Sequence, residues 1–326
     1  MTTLTKTAVL PCTVDEAFAL VTQPERLRRW QAVTARVDLR VGGDYRWTVT
    51  PGHIVAGTVK ELEPGKRIVL GWGWEGSDDL PLDSSIVTVT VTPVEGGTEV
   101  TLVHEGLSPE QAVGHEEGWA HFLGRLEQLA TTGDAGQDEW AWAPESLDAL
   151  TAAEAALAVL QPVLRRLTEE HLAKPTPCAD FDVRALVEHL AGSMVGVGGM
   201  SGGTVTDIST GSVEERLSDL AAQAIEAWRA RGLDGTIPSP RGGEMPAALA
   251  AVILSVELLV HAWDLAEASG QQVRVSDEVV SWVRDHATPL IDGGRGGAFA
   301  PEVEAPEDAD ALSRLAAYAG RASVAA

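Results

Sequence analysis

The hydrophobic period of this 326-residue chain changes once, near residue 131, and that change constrains the fold more than any other feature. Before it, apolar residues recur at every second position. The runs are Tyr45, Trp47 and Val49; Ile68, Leu70, Trp72 and Trp74; Ile86 to Val91; and Val100 to Val103. Period two, punctuated by Gly42-Gly43, Pro51-Gly52, Pro64-Gly65 and Gly96-Gly97, predicts an antiparallel meander. Helices bracket it. Thr13 with Glu16 makes a capping box ahead of Val14, Phe18 and Leu20. Ser108-Pro109-Glu110-Gln111 opens a long helix through Trp119, Phe122, Leu123, Leu126 and Leu129.

Residues 131–144 carry Gly and Asp without a period and read as a linker. Beyond them the period is 3.6. Leu147, Leu150, Ala153, Leu157, Leu160 and Leu164 form one stripe, and Asp182 caps a helix through Val183, Leu186 and Leu190. Ser212 with Glu215 opens another, stopped by Gly232, and Pro246 opens a long apolar helix that ends at Gly270. Two more helices are expected near 276–290 and 307–321, the second behind a solvated acidic stretch from Glu302 to Asp310. The fold class is α+β: an antiparallel-sheet domain at 1–132, a linker at 133–145 and an all-α four-helix bundle at 146–326. Bundle interiors are good places for metal sites.

Net charge is −24, so nucleic acid and anionic membrane surfaces are repelled at long range, and neither is expected as a partner. The most membrane-like run, Ala247 to Val260, is short and contains Glu257, which suits a buried helix better than a span. Two cysteines, Cys12 and Cys178, make no secreted disulfide framework, and the N-terminus has no signal-peptide pattern. A cytoplasmic location follows as the expectation, and a homodimer is compatible with the sequence.

Glu257 and His261 stand four apart in the apolar helix and so project from one face. His189 sits one position off the stripe of Leu186 and Leu190, aimed at the bundle interior. A carboxylate and two imidazoles are a common ligand set for catalytic zinc, with a fourth position left for water or substrate. Spacing alone leaves the alternative open, in which Glu257 and His261 bond within the helix and His189 is a core histidine.

Two sets of strings resemble known families. Pro24 to Trp30, Leu102-Val103-His104-Glu105-Gly106 and Gly114 to Trp119 resemble the activator-of-heat-shock-ATPase-like branch of the START-like (SRPBCC) superfamily over about residues 4–130. That implies a helix-grip domain with a cavity between sheet and closing helix, in a superfamily of ligand carriers, cyclases and co-chaperones. Thr176 to Leu190 and Glu257 to Ala266 are similar to the two metal motifs of the mycothiol-dependent maleylpyruvate isomerase and DinB-like families, over about 146–323. Carried over by position, His189, Glu257 and His261 are the metal ligands. Asp264, three residues on, either orients a ligand or makes a helix-surface contact. Zinc suits the set best, and nickel, iron or manganese could also occupy it. The chemistry implied is activation of a cofactor thiol of the mycothiol type, as a metal-bound thiolate, for attack on a small electrophile. The true isomerases carry a further C-terminal α/β domain. No strand pattern remains here after Arg314 and Arg321, which counts against maleylpyruvate isomerisation itself.

The leading expectation is therefore a zinc-dependent thiol transferase or isomerase acting on a small molecule. The alternative is a non-catalytic START-like ligand-binding or co-chaperone-like protein with a structural metal in its bundle. Trp30, Trp47, Trp72 and Trp74 either line a cavity for an apolar ligand or fill it as core. Cys178, near a helix N-terminus where a thiol pKa is lowered, is either reactive or a small turn residue, the second being favoured. His104, His115 and His121 match no metal spacing and are expected in capping, helix-surface or packing roles.

Overall fold

The computed structural model describes residues 1–208, 210–240 and 242–323, and the chain separates into two units, Met1–Gly136 and Gln137–Ala326. In the first, β1 (Thr2–Leu10) is followed by α1 (Val14–Thr22), α2 (Pro24–Leu27) and β2 (Thr34–Val37). Then come β3 (Asp44–Thr50), β4 (His53–Glu63), β5 (Arg67–Trp72), β6 (Ser85–Val94) and β7 (Gly97–Leu107). The long helix α3 (Pro109–Thr132) closes the unit. The strands form one antiparallel sheet in the order β1-β7-β6-β5-β4-β3-β2. Burial alternates along β1, β6 and β7, so the period-two pattern sorts one face toward the core. On α3, Trp119, Phe122, Leu123, Leu126 and Leu129 are buried at three- and four-residue spacing, as the stripe predicts.

Local chemistry sets the ends of α3. Gln111 N–H donates to Ser108 Oγ at 3.2 Å, and Ser108 N–H donates to Gln111 Oε1 at 2.7 Å, which completes a capping box. At the other end Gly133, with φ +81°, takes the left-handed conformation that lets its N–H reach Leu129 O.

The second unit begins inside the stretch read as a linker, where Glu139–Trp142 forms the short helix α4 beside α5 (Ala149–Arg165). There follow α6 (Val183–Met200), α7 (Val213–Arg231) and a small hairpin of β8 (Thr236–Pro238) and β9 (Glu244–Pro246). The unit ends with α8 (Ala247–Ser269), α9 (Asp277–Gly293) and α10 (Ala311–Tyr318). α8 is the central helix and packs against α5, α6, α9 and α10. Apolar nearly all round, it has no solvent face to speak of. Among the described residues it is the one helix long and apolar enough to cross a membrane, and 78% of its apolar window is buried among its neighbours.

Candidate metal centre

The crossing of α6 and α8 brings His189, Glu257 and His261 together, with one potential ligand atom from each within 4.8 Å of the others. Glu257 Oε2 lies 3.2 Å from His189 Nε2 and 3.7 Å from His261 Nε2. The two imidazoles meet edge to face with centroids 5.2 Å apart. Ligands about 2.1 Å from a tetrahedral ion stand roughly 3.4 Å from one another, so these separations suit a first-row divalent ion.

The hydrogen bonds around the three side chains are incomplete. Glu257 Oε2 is buried and receives no aligned hydrogen bond, although both nitrogens are near. His261 Nδ1 stands 2.8 Å from Asp264 Oδ2, which also accepts from Arg321 Nε at 3.2 Å. A carboxylate held this way can only accept, so Nδ1 of His261 carries a proton, and in the neutral ring the Nε2 lone pair would turn toward Glu257. A lone pair would then face a carboxylate oxygen, an arrangement that a cation between them satisfies. Burial alone would push the Glu257 carboxyl up, but His189, His261 and the Ser193 hydroxyl outweigh it and hold the group at about 2. The same contact with Glu257 raises His189 above its ordinary range, against burial and the Arg321 charge. The donor set and the orphaned oxygen both fit a divalent cation.

The three side chains open on a cavity of about 310 Å³ whose walls include Cys178, Phe181, Phe299 and Arg321. That volume lies at the small end of ligand pockets and suits small reactants. Phe181 stacks on the His189 ring with centroids 5.0 Å apart and fixes its tilt. Asp264 is fully buried, away from the helix surface. Cys178 departs from the helix-terminus rule: burial pushes its thiol up to about 11, with Arg321 opposing. The thiol is free and near His261 and Asp264, but it is a poor nucleophile as it stands. Arg321, Phe299 and Ser193 carry no sequence signal of their own; Arg321 reaches the site across 57 positions from Asp264.

The first unit keeps its aromatics packed. Trp30, Trp47 and Trp72, with Trp119, surround a gap of about 20 Å³, room for roughly one water. Trp74 is half-buried outside that gap, beside His53 and His115. The rings thus fill the space between sheet and helix in this conformation. His104 and Ser85 come within 2.9 Å and look like a nucleophile and its base, but the polarity is reversed. Trp119 Nε1 donates to His104 Nδ1 at 3.1 Å, which puts the His104 proton on Nε2, facing Ser85. Ser85 in turn donates to Trp72 O at 3.1 Å. His104 therefore cannot take the Ser85 proton, and the expected packing role holds. Burial, with His115 nearby, lowers His104 to about 3. His115 bonds Gln111 O from α3 at 2.8 Å, and His121 packs its ring on Phe122.

Comparison with known proteins divides the chain in the same way. The family model described as activator of Hsp90 ATPase homolog 1-like protein matches residues 11–131. The model described as mycothiol maleylpyruvate isomerase N-terminal domain matches residues 150–266. The uncharacterized protein Rv0738 of Mycobacterium tuberculosis is 29% identical over 181 residues, 54% of this chain and 98% of its own length. Among solved structures, an AHSA1-like protein of Rhizobium etli is 35% identical, covering 45% of this chain and 89% of that one, with a TM-score of 0.36. An HSP90 activator from Plasmodium falciparum is 22% identical, covering 40% and 96%, with a TM-score of 0.34.

Proposed function

We propose, for a chain that joins an activator-of-Hsp90-ATPase-like domain to a mycothiol maleylpyruvate isomerase N-terminal domain, that its second unit is a divalent-metal-dependent enzyme transferring or adding a thiol to a small electrophile. The observation that carries this reading is the buried Glu257 Oε2, 3.2 and 3.7 Å from two imidazole nitrogens with no aligned hydrogen bond, at the wall of a cavity. His189, Glu257 and His261 would hold the ion, and zinc suits two nitrogens and an oxygen best. Bound there, such an ion supplies Lewis acidity that lowers the pKa of a thiol or water at its open position.

The remaining roles belong to this chain's own side chains. Asp264 keeps the His261 proton on Nδ1. Phe181 and Phe299 line the cavity with apolar surface that disfavours bulk water. The Arg321 guanidinium offsets part of the negative charge of Glu257 and Asp264 beside the reactants. In an addition, the S–H bond breaks, a C–S bond forms, and the proton returns to the neighbouring substrate carbon, so no oxidant or reductant is needed. A low-molecular-weight thiol of the mycothiol type fits this chemistry, and a cytoplasmic setting belongs to the same reading.

For the first unit, partner contact in the manner of a co-chaperone suits the observed gap of about 20 Å³ better than carriage of an apolar ligand. Metal content by plasma mass spectrometry on wild type and His261→Ala tests the centre. About one equivalent in wild type, lost in the variant, supports it and leads to a thiol-transfer assay with a model electrophile. No metal in wild type after reconstitution would sink it.

A further inference from the structure

Behind His261 lies a buried polar arrangement that three ligands alone do not require. Asp264 is fully buried, and His261 and Arg321 are 3% and 7% exposed. Asp264 Oδ2 takes both contacts, from His261 Nδ1 at 2.8 Å and Arg321 Nε at 3.2 Å, while Oδ1 is buried with no hydrogen-bond partner. Arg321 follows α10 and lies outside the 150–266 stretch that matches the isomerase N-terminal domain. We propose that Arg321 is a positioning residue for the metal centre: it anchors the Asp264 carboxylate, which holds His261 with its Nε2 lone pair turned toward the ion. The inference rests on reading His189, Glu257 and His261 as metal ligands.

Three structural features support it. First, an isolated carboxylate in a protein core is costly, and this one depends on a single oxygen for both of its bonds. Without Arg321 only the imidazole would hold it, and the carboxylate could rotate its orphan oxygen into play.

Second, the guanidinium is gripped from two sides. Nε serves Asp264, and Nη1 donates to Ala319 O at 3.2 Å, so the planar group has one orientation. A lysine ammonium would bring the charge without that fork.

Third, the backbone is shaped to turn Arg321 inward. Gly320 has φ +82°, a conformation L side chains rarely adopt, and a Cβ there would stand 2.7 Å from Ala300 O. Gly320 N–H donates to Ala317 O and Arg321 N–H to Ala316 O, each at 2.9 Å, which folds the chain back over the end of α10. Outer partners of metal-bound imidazoles fix the ring's tautomer and tilt and raise its basicity, and their loss typically weakens metal affinity about 10–100-fold.

The test uses the full chain: zinc affinity by chelator competition, and the visible absorption of the cobalt-substituted protein. The variants are Asp264→Asn, Arg321→Ala, Arg321→Lys and Gly320→Ala, with His261→Ala as the ligand control. Asp264→Asn and Arg321→Ala are expected to weaken zinc binding about 10–100-fold at unchanged stoichiometry and to shift the cobalt bands. Gly320→Ala, which touches no ligand, should move both readouts the same way. If Arg321→Ala fails to fold, Arg321→Lys carries the test, with its metal-free melting temperature as the folding control. Wild-type zinc affinity and an unshifted cobalt spectrum in folded Arg321→Lys and Asp264→Asn, with binding still lost in His261→Ala, would overturn the positioning role and leave the metal centre standing. A wild type that binds neither zinc nor cobalt would overturn both.

Discussion

Acidification should weaken the first unit through one residue, His104. Its ring is fully buried, and burial lowers its pKa from the usual 6.5 to about 3. The unfolded chain binds a proton on this imidazole below pH 6.5 while the folded chain does not. Its stabilising contribution is therefore complete above pH 6.5 and is lost as pH falls toward 3. Between pH 7 and 4.5 the loss is about 2–3 kcal/mol, the free energy of binding a proton in the unfolded chain over the two pH units below 6.5. That figure hardly depends on the folded value, because pH 4.5 is still above it. Urea titrations at pH 7 and 4.5, read by hydrogen exchange in peptides from β6 and β7, report this unit separately. His104→Gln should be less stable than wild type at pH 7, yet should lose less on acidification by about 2–3 kcal/mol. Parallel losses in the two proteins, or a His104 ring that titrates near 6.5 in folded wild type, would refute the reasoning.

Glu257→Gln keeps the shape of the proposed ligand but removes its charge, and zinc stoichiometry should fall well below one by plasma mass spectrometry. Zinc at about 100 times its dissociation constant should stabilise the second unit by roughly 2.7 kcal/mol and leave the exchange of β6 and β7 unchanged. Ser108→Ala removes the cap of α3 and should cost about 1 kcal/mol in urea unfolding of the first unit. Leu126→Ala, at a fully buried position of the same helix, should cost about 2–5 kcal/mol in the same measurement.

The features legible in the sequence were those encoded within a few residues. Ser108 and Gln111, or Ser212 and Glu215, announce their helices because the capping bonds run between neighbours. Glu257 and His261 were legible for the same reason, one turn apart on a helix whose apolar surroundings imply burial. His189 needed one further step, its position beside the stripe of α6. Longer reach was not legible. Nothing near Arg321 signals Asp264, because that contact exists only once α10 has docked on α8. The β8–β9 hairpin is three residues a strand with proline at Pro238 and Pro246, too short to show a period. For Cys178 the local rule gave the wrong direction: burial pushes the thiol up, and the opposing Arg321 charge does not offset it. The tryptophans of the first sheet were ambiguous in principle, since a lining ring and a filling ring alternate along a strand alike.

The division of the proposed ligands between helices has a kinetic corollary. Glu257 and His261 ride on α8 at a spacing the helix itself enforces, while His189 arrives from α6. An ion held by all three would tie α6 to α8, and its release would begin at His189, the one ligand that a different helix supplies. Where that step precedes chelator attack, a strong chelator in excess strips the metal at a rate that stops rising with chelator concentration, and the plateau times the opening of the α6 contact.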